Sequence, residues 1–293
     1  MSAADAALFL VDVFTRQALR GNPVAVVVPA AVPTDAAMQA LAAWIGMPET
    51  VFVMPGARDA GADYRVRIWS PLRELPFAGH PSIGAAHALI ANGMATPHDG
   101  RLVQQSPYGL VTMRASDGAD GEIRFETPVP DVVMLDGEAA QAVAAALGPA
   151  AGACEAARVE AGARWLVARL GQSEGLDALT PDLDAILRLS RRHDVSGLTV
   201  IAPAAHSGAD FEVRSFGPAI GVAEDAACGG GNACAAALIA ASHGWREGSA
   251  GLRAAQGRHV GRDATIHWHG PDAGGRLEIG GYARLVSAGS LRL

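Results

Sequence analysis

Two stretches of the chain combine groups that move protons with backbone that attracts anions. The first, PLRELPFAGHPSIGAAHALIANG, spans residues 71–93 and sets His80 in a Gly-His-Pro turn ahead of an Ala-rich run. The second, GVAEDAACGGGNACAAALIAASHG, spans residues 221–244 and carries Glu224, Asp225 and Cys228 ahead of three glycines. A helix start leaves backbone N–H groups without intrahelical partners, and the helix dipole favours negative charge there. Glycines let a ligand approach the backbone closely. Gly79, Pro81 and Ser82 in the first turn, and Cys228, Gly229, Gly230 and Gly231 in the second, are therefore the expected substrate-binding residues. The ligand expected of such a pair of turns is a small molecule bearing a carboxylate.

Four side chains are candidates for the chemistry. Glu49 follows a Met-Pro step and opens the apolar run ETVFVMP. A carboxylate at the lip of such a strand can be desolvated enough to act as a general acid/base. His80 can donate to a substrate or hold a proton, and Asp225 can orient a cationic or hydroxyl group. Cys228 stands where a thiol base would act on a carbon acid. Each also has an ordinary reading: a solvated loop glutamate, a turn histidine bonded to backbone, a turn or cap aspartate, a small buried hydrophobe. Cys234 falls inside the helix that follows and reads as core, while Cys154 has no context. His267 and His269 flank a tryptophan, which on a strand is more often one exposed face than a metal pair. No HExxH, CxxC or GxSxG occurs, and CGGGNA lacks both the dinucleotide-binding spacing and the phosphate-loop lysine. No metal and no cofactor are expected.

The elements that must hold these residues follow from periodicity. ALFLVDVFT and NPVAVVV read as a hairpin around a Gly-Asn-Pro turn. TDAAMQALAAWIG reads as a helix capped by Thr34 or Asp35, with Met38, Leu41 and Ile45 on one face and Gly46 as its stop. HPSIGAAHALIANG and GNACAAALIAASHG read as helices, as do GEAAQAVAAALG and TPDLDAILRLSRRH. ETVFVMP, DYRVRIWSP, LVQQSPYGLVTMR, GEIRFETP, RWLVARL, GLTVIAP, ADFEVRSFGP, GLRAAQG, DATIHWHG and GRLEIGGYARLV supply strands. Antiparallel connections dominate this pattern, which makes it α+β.

The chain repeats itself. DYRVRIWSP at 63–71 pairs with DFEVRSFGP at 210–218, and AGHPSIGAAHALIANG pairs with ACGGGNACAAALIAASHG. Two units of this size mean a duplicated domain and not a solenoid. Residues 1–130 and 131–280 are the expected halves, with a boundary near Pro128–Asp136. The last strand, at about 280–293, is free to return to the first half. Duplicated domains tend to meet about a pseudo-two-fold axis, so that equivalent loops face one another across a cleft.

Bulk properties narrow the partners. The 293 residues are half apolar, under a fifth are charged, and the net charge is −7, so a large core is available. No basic stripe exists; Arg188, Arg191, Arg192 and His193 read as the end of a helix, and a nucleic-acid or membrane partner is not expected. Three cysteines without paired spacing give neither a disulfide framework nor a zinc site. No basic leader or long apolar run is evident, so the expected compartment is the cytoplasm.

Taken together, VDVFTRQALRGNPVAVV, ETVFV, RIWSPLRELPFAGHPSIGAAHAL and GVAEDAACGGGNACAAAL resemble the PhzF-type phenazine-biosynthesis isomerases, in order and over most of the chain. The resemblance implies the diaminopimelate epimerase-like fold: two similar domains, each a β-barrel-like sheet wrapped round a central helix, with the active site in the cleft. It implies that Glu49 shuttles a proton between two carbons, that His80 and Asp225 assist, and that the turn amides hold the substrate carboxylate. The reaction implied is a cofactor-free 1,3-proton shift of the kind that isomerises trans-2,3-dihydro-3-hydroxyanthranilate, and a homodimer is expected. The family's EDPATGSA motif reads EDAACGGG here, with Ala226 for proline, Cys228 for threonine and Gly230 for serine. That version leans toward the cysteine turn of diaminopimelate epimerases and proline racemases. Those enzymes use one cysteine per half, and Ala78 at the first-half position excludes a standard two-thiol pair. Two alternatives stand beside the isomerase: an amino-acid epimerase, racemase or dehydratase using Cys228, and a non-catalytic protein that binds small carboxylates.

Overall fold

The computed structural model describes residues 5–56, 61–116, 121–172, 174–205 and 207–292. The chain forms two compact units, Met1–Glu126 with Gly280–Leu293, and Thr127–Ile279.

In the first unit the order is β1 (Asp5–Val13), β2 (Asn22–Pro29), α1 (Asp35–Ile45), β3 (Glu49–Pro55), β4 (Tyr64–Trp69), β5 (Glu74–Leu75), α2 (Gly79–Ala91), β6 (Arg101–Ser106), β7 (Gly109–Ala115) and β8 (Ile123–Glu126). The chain's last strand, β18 (Ala283–Arg292), lies antiparallel along β1. From there the sheet runs β1–β2–β3–β4–β6–β7–β8. It is antiparallel except at β2–β3 and β4–β6. Parallel neighbours need a crossover, and α1 and α2 supply the two required.

The second unit holds β9 (Asp131–Met134), α3 (Gly137–Leu147), β10 (Glu155–Glu160), β11 (Arg164–Arg169), α4 (Glu174–Asp177), α5 (Leu183–His193), β12 (Leu198–Pro203), β13 (Phe211–Gly217), β14 (Val222–Asp225), α6 (Gly229–His243), β15 (Leu252–Gln256) and β16 (Ala264–His269). A final strand, β17 (Glu278–Gly281), ends where the chain passes back to the first unit. Here the order is β9–β10–β11–β12–β13–β15–β16, antiparallel except at β11–β12 and β13–β15. The strand directions of the first unit recur: β1–β2–β3–β4–β6–β7 corresponds to β10–β11–β12–β13–β15–β16. Each unit thus contains two parallel crossovers that the antiparallel reading of the sequence did not anticipate.

The duplication extends to side chains. Arg67 on β4 forks onto Glu74 of β5, with Nη2 2.6 Å from Oε2. Arg214 on β13 forks onto Glu224 of β14 at 2.9 and 2.8 Å. Asp63 accepts from the Val103 amide at 2.6 Å, and Asp210 from the Arg253 amide at 2.7 Å. In each unit the fork ties down the short strand that leads into the helix, and the aspartate fixes the strand that leaves it.

Each sheet is covered on both faces. In the first unit α1 is capped by Thr34, whose Oγ1 accepts from the Ala37 amide, and it stops at Gly46 in the left-handed region. Met38 and Ala42 seat it on Val27, Phe52 and Trp69. The opposite face carries α2, which packs on β1, β2, β3, β8 and β18. Apolar contact on both sides explains why Val24–Val27 are an unbroken apolar run, all fully buried. In the second unit α3 and α5 cover one face through Val143, Leu147, Ile186 and Leu189, against Leu166, Leu198, Val200 and Phe216. The other face wraps α6, which packs on β10, β11, β12 and β16.

α2 and α6 are buried almost all round, from Gly79 to Leu89 and from Ala233 to Ile239. A helix so enclosed must be narrow, which accounts for its Ala and Gly content. A Cβ at Gly84 would lie 2.4 Å from Cγ1 of Val24. Among the described residues no helix is long and apolar enough to cross a membrane. Gly84→Ala is expected to lose about 1–3 kcal/mol by overpacking. Gly137→Ala, whose Cβ would meet nothing within 4 Å, is expected to be near neutral. Urea unfolding of both variants checks the contrast; equal midpoints would mean that α2 is not held this tightly.

Candidate active site

The first unit assembles its polar group from three loops. Between β1 and β2 the Leu19 amide donates to the buried Asp12 carboxylate, and Thr15 bonds Gln17 through both its amide and its carbonyl. Gly21 passes so close to Val13 that a Cβ would sit 2.2 Å from the Val13 carbonyl oxygen. This packed loop delivers Asn22 to the first position of β2. The Gly46 stop of α1 delivers Glu49 to the first position of β3, in register with Val24. The start of α2 brings His80. A Cβ on Gly79 would lie 2.6 Å from the Phe125 ring, so the helix start is pressed against β8.

The three side chains meet. Oε2 of Glu49 lies 3.2 Å from Nε2 of His80, and Nδ1 of His80 lies 3.4 Å from Nδ2 of Asn22. His80 is 5% exposed and the Glu49 side chain 16%. Burial drives the His80 pKa down from 6.5 to about 3, opposed by a hydrogen bond to the Pro23 backbone. The ring is therefore neutral at neutral pH and carries one proton. With that proton on Nε2, His80 donates to a Glu49 carboxylate while Nδ1 accepts from Asn22. With it on Nδ1, Nε2 accepts from a protonated Glu49. The neighbour of Glu49 can thus match either protonation state without bringing a charge into the site.

The helix start itself lacks a side-chain cap. Ala78 offers no acceptor and Pro81 no N–H, so Gly79 and His80 present the backbone donors of the first turn. Ser82 bonds back to the Ala78 carbonyl at 2.9 Å and receives Gln104 Nε2 at 2.8 Å, which fixes the turn from below.

In the second unit β14 ends at Asp225, whose Oδ1 accepts from the Ala227 amide at 3.1 Å. Cys228 is the N-cap of α6; its Sγ accepts from the Gly231 amide at 3.2 Å. Gln256 on β15 is the staple: Oε1 accepts from the Cys228 amide and from Asn232 Nδ2, while Nε2 donates to the Asp225 carbonyl. Asn232 in turn donates to the Cys228 carbonyl and accepts from Trp268 Nε1 at 3.0 Å. Gly231 is pressed on Thr199 and Ser215, where a Cβ would lie 2.4 Å from one hydroxyl and 2.9 Å from the other.

The expected site residues thus fall into two groups. Glu49, His80, Gly79, Pro81 and Ser82 lie together in the first unit, and Asp225 and Cys228–Gly231 in the second. Asp225 does not cap α6; that place is taken by Cys228, and the helix begins at Gly229, earlier than its sequence periodicity suggests. Cys234 is fully buried, and Glu224 is engaged by Arg214 as described. His267 and His269 lie on β16 with ring centroids 6.5 Å apart. Sequence reasoning assigned no role to Asn22 or Gln256. Asn22 was visible as the middle of Gly21-Asn22-Pro23, a polar start to a strand whose central residues are buried. Nothing local in the sequence singled out Gln256.

The comparisons with known proteins place the chain in a family. Residues 11–289 match the family model described as phenazine biosynthesis-like protein. The trans-2,3-dihydro-3-hydroxyanthranilate isomerase of Pseudomonas fluorescens is 32% identical over 259 residues, 88% of this chain and 87% of that protein. Antisense-enhancing sequence 1 of Schizosaccharomyces pombe is 34% identical over 238 residues, 79% of each chain. Among solved structures, the PhzF-family phenazine biosynthesis protein of Bacillus anthracis superposes with a TM-score of 0.84 at 20% identity, covering 99% of both chains. The chain belongs to the phenazine biosynthesis-like family and is an isomerase of the PhzF type.

Proposed function

We propose that the protein moves a proton between two carbons of a small carboxylate substrate without a cofactor, with Glu49 as the acid/base. The observation that carries this reading is the Glu49–His80 contact: a half-buried carboxyl beside a neutral, enclosed imidazole. Glu49 as carboxylate takes a proton from one carbon of the substrate, leaving an electron pair delocalised toward the substrate's unsaturated system. The protonated Glu49 then returns that proton at another carbon, and the enzyme ends as it began. His80 stays neutral throughout, with Nε2 held against the Glu49 carboxyl. Asp225 orients the substrate, and the first-turn amides of α2 and α6 bind its carboxylate and the negative charge of the intermediate. The relative named trans-2,3-dihydro-3-hydroxyanthranilate isomerase supports that compound, or one like it, as substrate. A homodimer in the cytoplasm completes the proposal.

A second reading gives Cys228 the base role, since a thiol at a helix N-terminus is favoured as thiolate. Against it stands the sulfur's place as the cap of α6, buried and accepting from the Gly231 amide. Serine can cap equally well, so the two roles separate cleanly.

Proton NMR in deuterated buffer with trans-2,3-dihydro-3-hydroxyanthranilate tests the reaction. Wild type is expected to convert it with loss of the proton signal at the abstracted carbon or its transfer to the second. Glu49→Gln is expected to lose at least 10²-fold in kcat, while Cys228→Ser stays within a few-fold of wild type. Full activity of Glu49→Gln would remove the glutamate from the mechanism, and a dead but folded Cys228→Ser would hand the role to sulfur.

The neutrality of His80 has its own signature. The unfolded chain takes up a proton below about 6.5 that the folded protein refuses until about 3. Between those values the unfolded state binds more protons, so this residue makes stability fall as pH falls, by about 1.4 kcal/mol per pH unit. His80→Gln removes that contribution. The difference in urea-unfolding free energy between wild type and His80→Gln is expected to shift against wild type from pH 6 to pH 5. Parallel curves would show that the folded ring is protonated as readily as the unfolded one.

A further inference from the structure

We infer that the indole N–H of Trp165 is a substrate-binding donor at the start of α6, reading an anionic oxygen together with the first-turn amides. Trp165 is on β11, is 2% exposed, and is held edge-on by glycines. A Cβ on Gly197 would lie 2.7 Å from its Cζ3, and one on Gly217 3.4 Å from its Cη2. Those two glycines make room for the six-membered ring and leave it little freedom to turn. The pyrrole edge points the other way. A Cβ on Gly230 would lie 3.3 Å from Nε1 and 3.1 Å from the Ala163 methyl. Nε1 donates to no acceptor among the described residues, unlike Trp268 and Trp245, whose N–H groups find Asn232 and the Ala250 carbonyl. The ring is buried, but Nε1 is not among the fully enclosed unpartnered atoms, as that of Trp69 is, so the N–H keeps an opening beside the second residue of a fifteen-residue helix.

The duplicated fold shows what the donor is for. In the first unit the second residue of α2 is His80, and Asn22 at the start of β2 directs its amide at the ring. In the second unit the corresponding place on α6 is Gly230, and the side chain beside it is Trp165, which stands on β11 where Val24 stands on β2. No side chain is there to receive the N–H. Gly230 lets the helix start come close to the indole edge, where a Cβ would crowd Nε1 and the Ala163 methyl. An oxygen placed there meets donors of one kind only, since indole N–H and backbone N–H cannot accept. The ligand group is therefore an acceptor oxygen, and the carboxylate is the one the proposed reaction brings. The inference rests on that reading for the identity of the substrate, but not for the chemistry of the donor.

The test is a titration followed by ¹H–¹⁵N NMR. The chain has five tryptophans, and Trp165→Phe assigns the indole cross-peak by its disappearance. The probe is 3-hydroxyanthranilate, a stable aromatic carboxylate, with its neutral carboxamide as control. The Trp165 indole proton is expected to move downfield with the carboxylate and to stay put with the amide. Trp165→Phe, which keeps the ring and loses the donor, is expected to weaken binding roughly tenfold or more. Gly230→Ala is expected to do the same by filling the space while leaving the indole peak present and unresponsive. If the amides of Gly229 and Gly230 shift while the indole peak does not, or if Trp165→Phe binds within twofold of wild type, the inference is overturned. No response of any peak to the carboxylate overturns it as well. Should Trp165→Phe fail to fold, the wild-type titration and Gly230→Ala decide.

The two proposals fail separately. A wild type that responds at Trp165 but leaves trans-2,3-dihydro-3-hydroxyanthranilate untouched keeps the donor and loses the reaction. A wild type that turns the substrate over, with a KM unchanged in Trp165→Phe, keeps the reaction and loses the donor.

Discussion

The architecture depends on how closely a narrow helix can approach the strands wrapped around it. Gly79 against Phe125, Gly84 against Val24 and Gly231 against Thr199 and Ser215 leave no space for a single carbon atom. This closeness sets more than packing density. It fixes the height of the first helical turn relative to the strand starts, and with it the reach from Glu49 to His80 and from Trp165 to Gly230. A helix carrying leucines at these positions would stand farther off. The polar side chains would then miss one another by the width of a methyl group, which is enough to abolish a hydrogen bond.

Such approach is only useful if the helix start is also prevented from sliding or fraying. Both units solve this with a polar residue at the fourth helical position that bonds back to the N-cap carbonyl: Ser82 to Ala78 and Asn232 to Cys228. Both then tie that residue to a glutamine on the next strand, Gln104 or Gln256. These bonds are buried, so breaking one leaves a desolvated group unpaired and costs more than the bond's net worth. The first turns are thereby held still from beneath, with no side-chain cap on α2 and the Gly231 amide of α6 taken by Cys228 Sγ. A preorganised set of donors of this kind needs no rearrangement when negative charge develops in front of it.

Much of this was readable before any coordinates. The Thr34 cap and Gly46 stop of α1, the strands ETVFVMP, DYRVRIWSP and DFEVRSFGP, and the two small-residue helices all follow from local pattern. The repeat of a strand followed by a Gly-rich turn and helix pointed to a duplicated fold and to both turns. The shortfalls have physical causes. EAARVE, the strand β10, alternates too weakly to stand out, because its successive Ala156 and Ala157 are both buried. The short strands β5 and β14 are held by Arg67–Glu74 and Arg214–Glu224, and a long-range ion pair leaves no periodic trace. Parallel joins were missed since direction is decided by the crossover and not by the strand. Trp165 was invisible as a site residue for the same reason: its partners Gly197, Gly217 and Gly230 are scattered along the chain, and only the fold gathers them.

The two copies kept their scaffold and diverged where the helix begins, and this divergence bears on the choice of chemistry. The first copy has His80 at the second helical position, Asn22 behind it and Glu49 beside it, which together can take a proton and give it back. The second has Gly230 at that position, a thiol already committed to capping, and N–H donors from backbone and indole. A two-base racemase needs a proton-transferring group from each copy, one for each face of the carbon. A single-base shuttle needs one such group and, elsewhere, donors that hold the substrate while the same proton is returned to a different atom. Only the first copy pairs a carboxyl with an imidazole, Glu49 with His80, and that asymmetry is what separates the proposed single-base scheme from a two-base one.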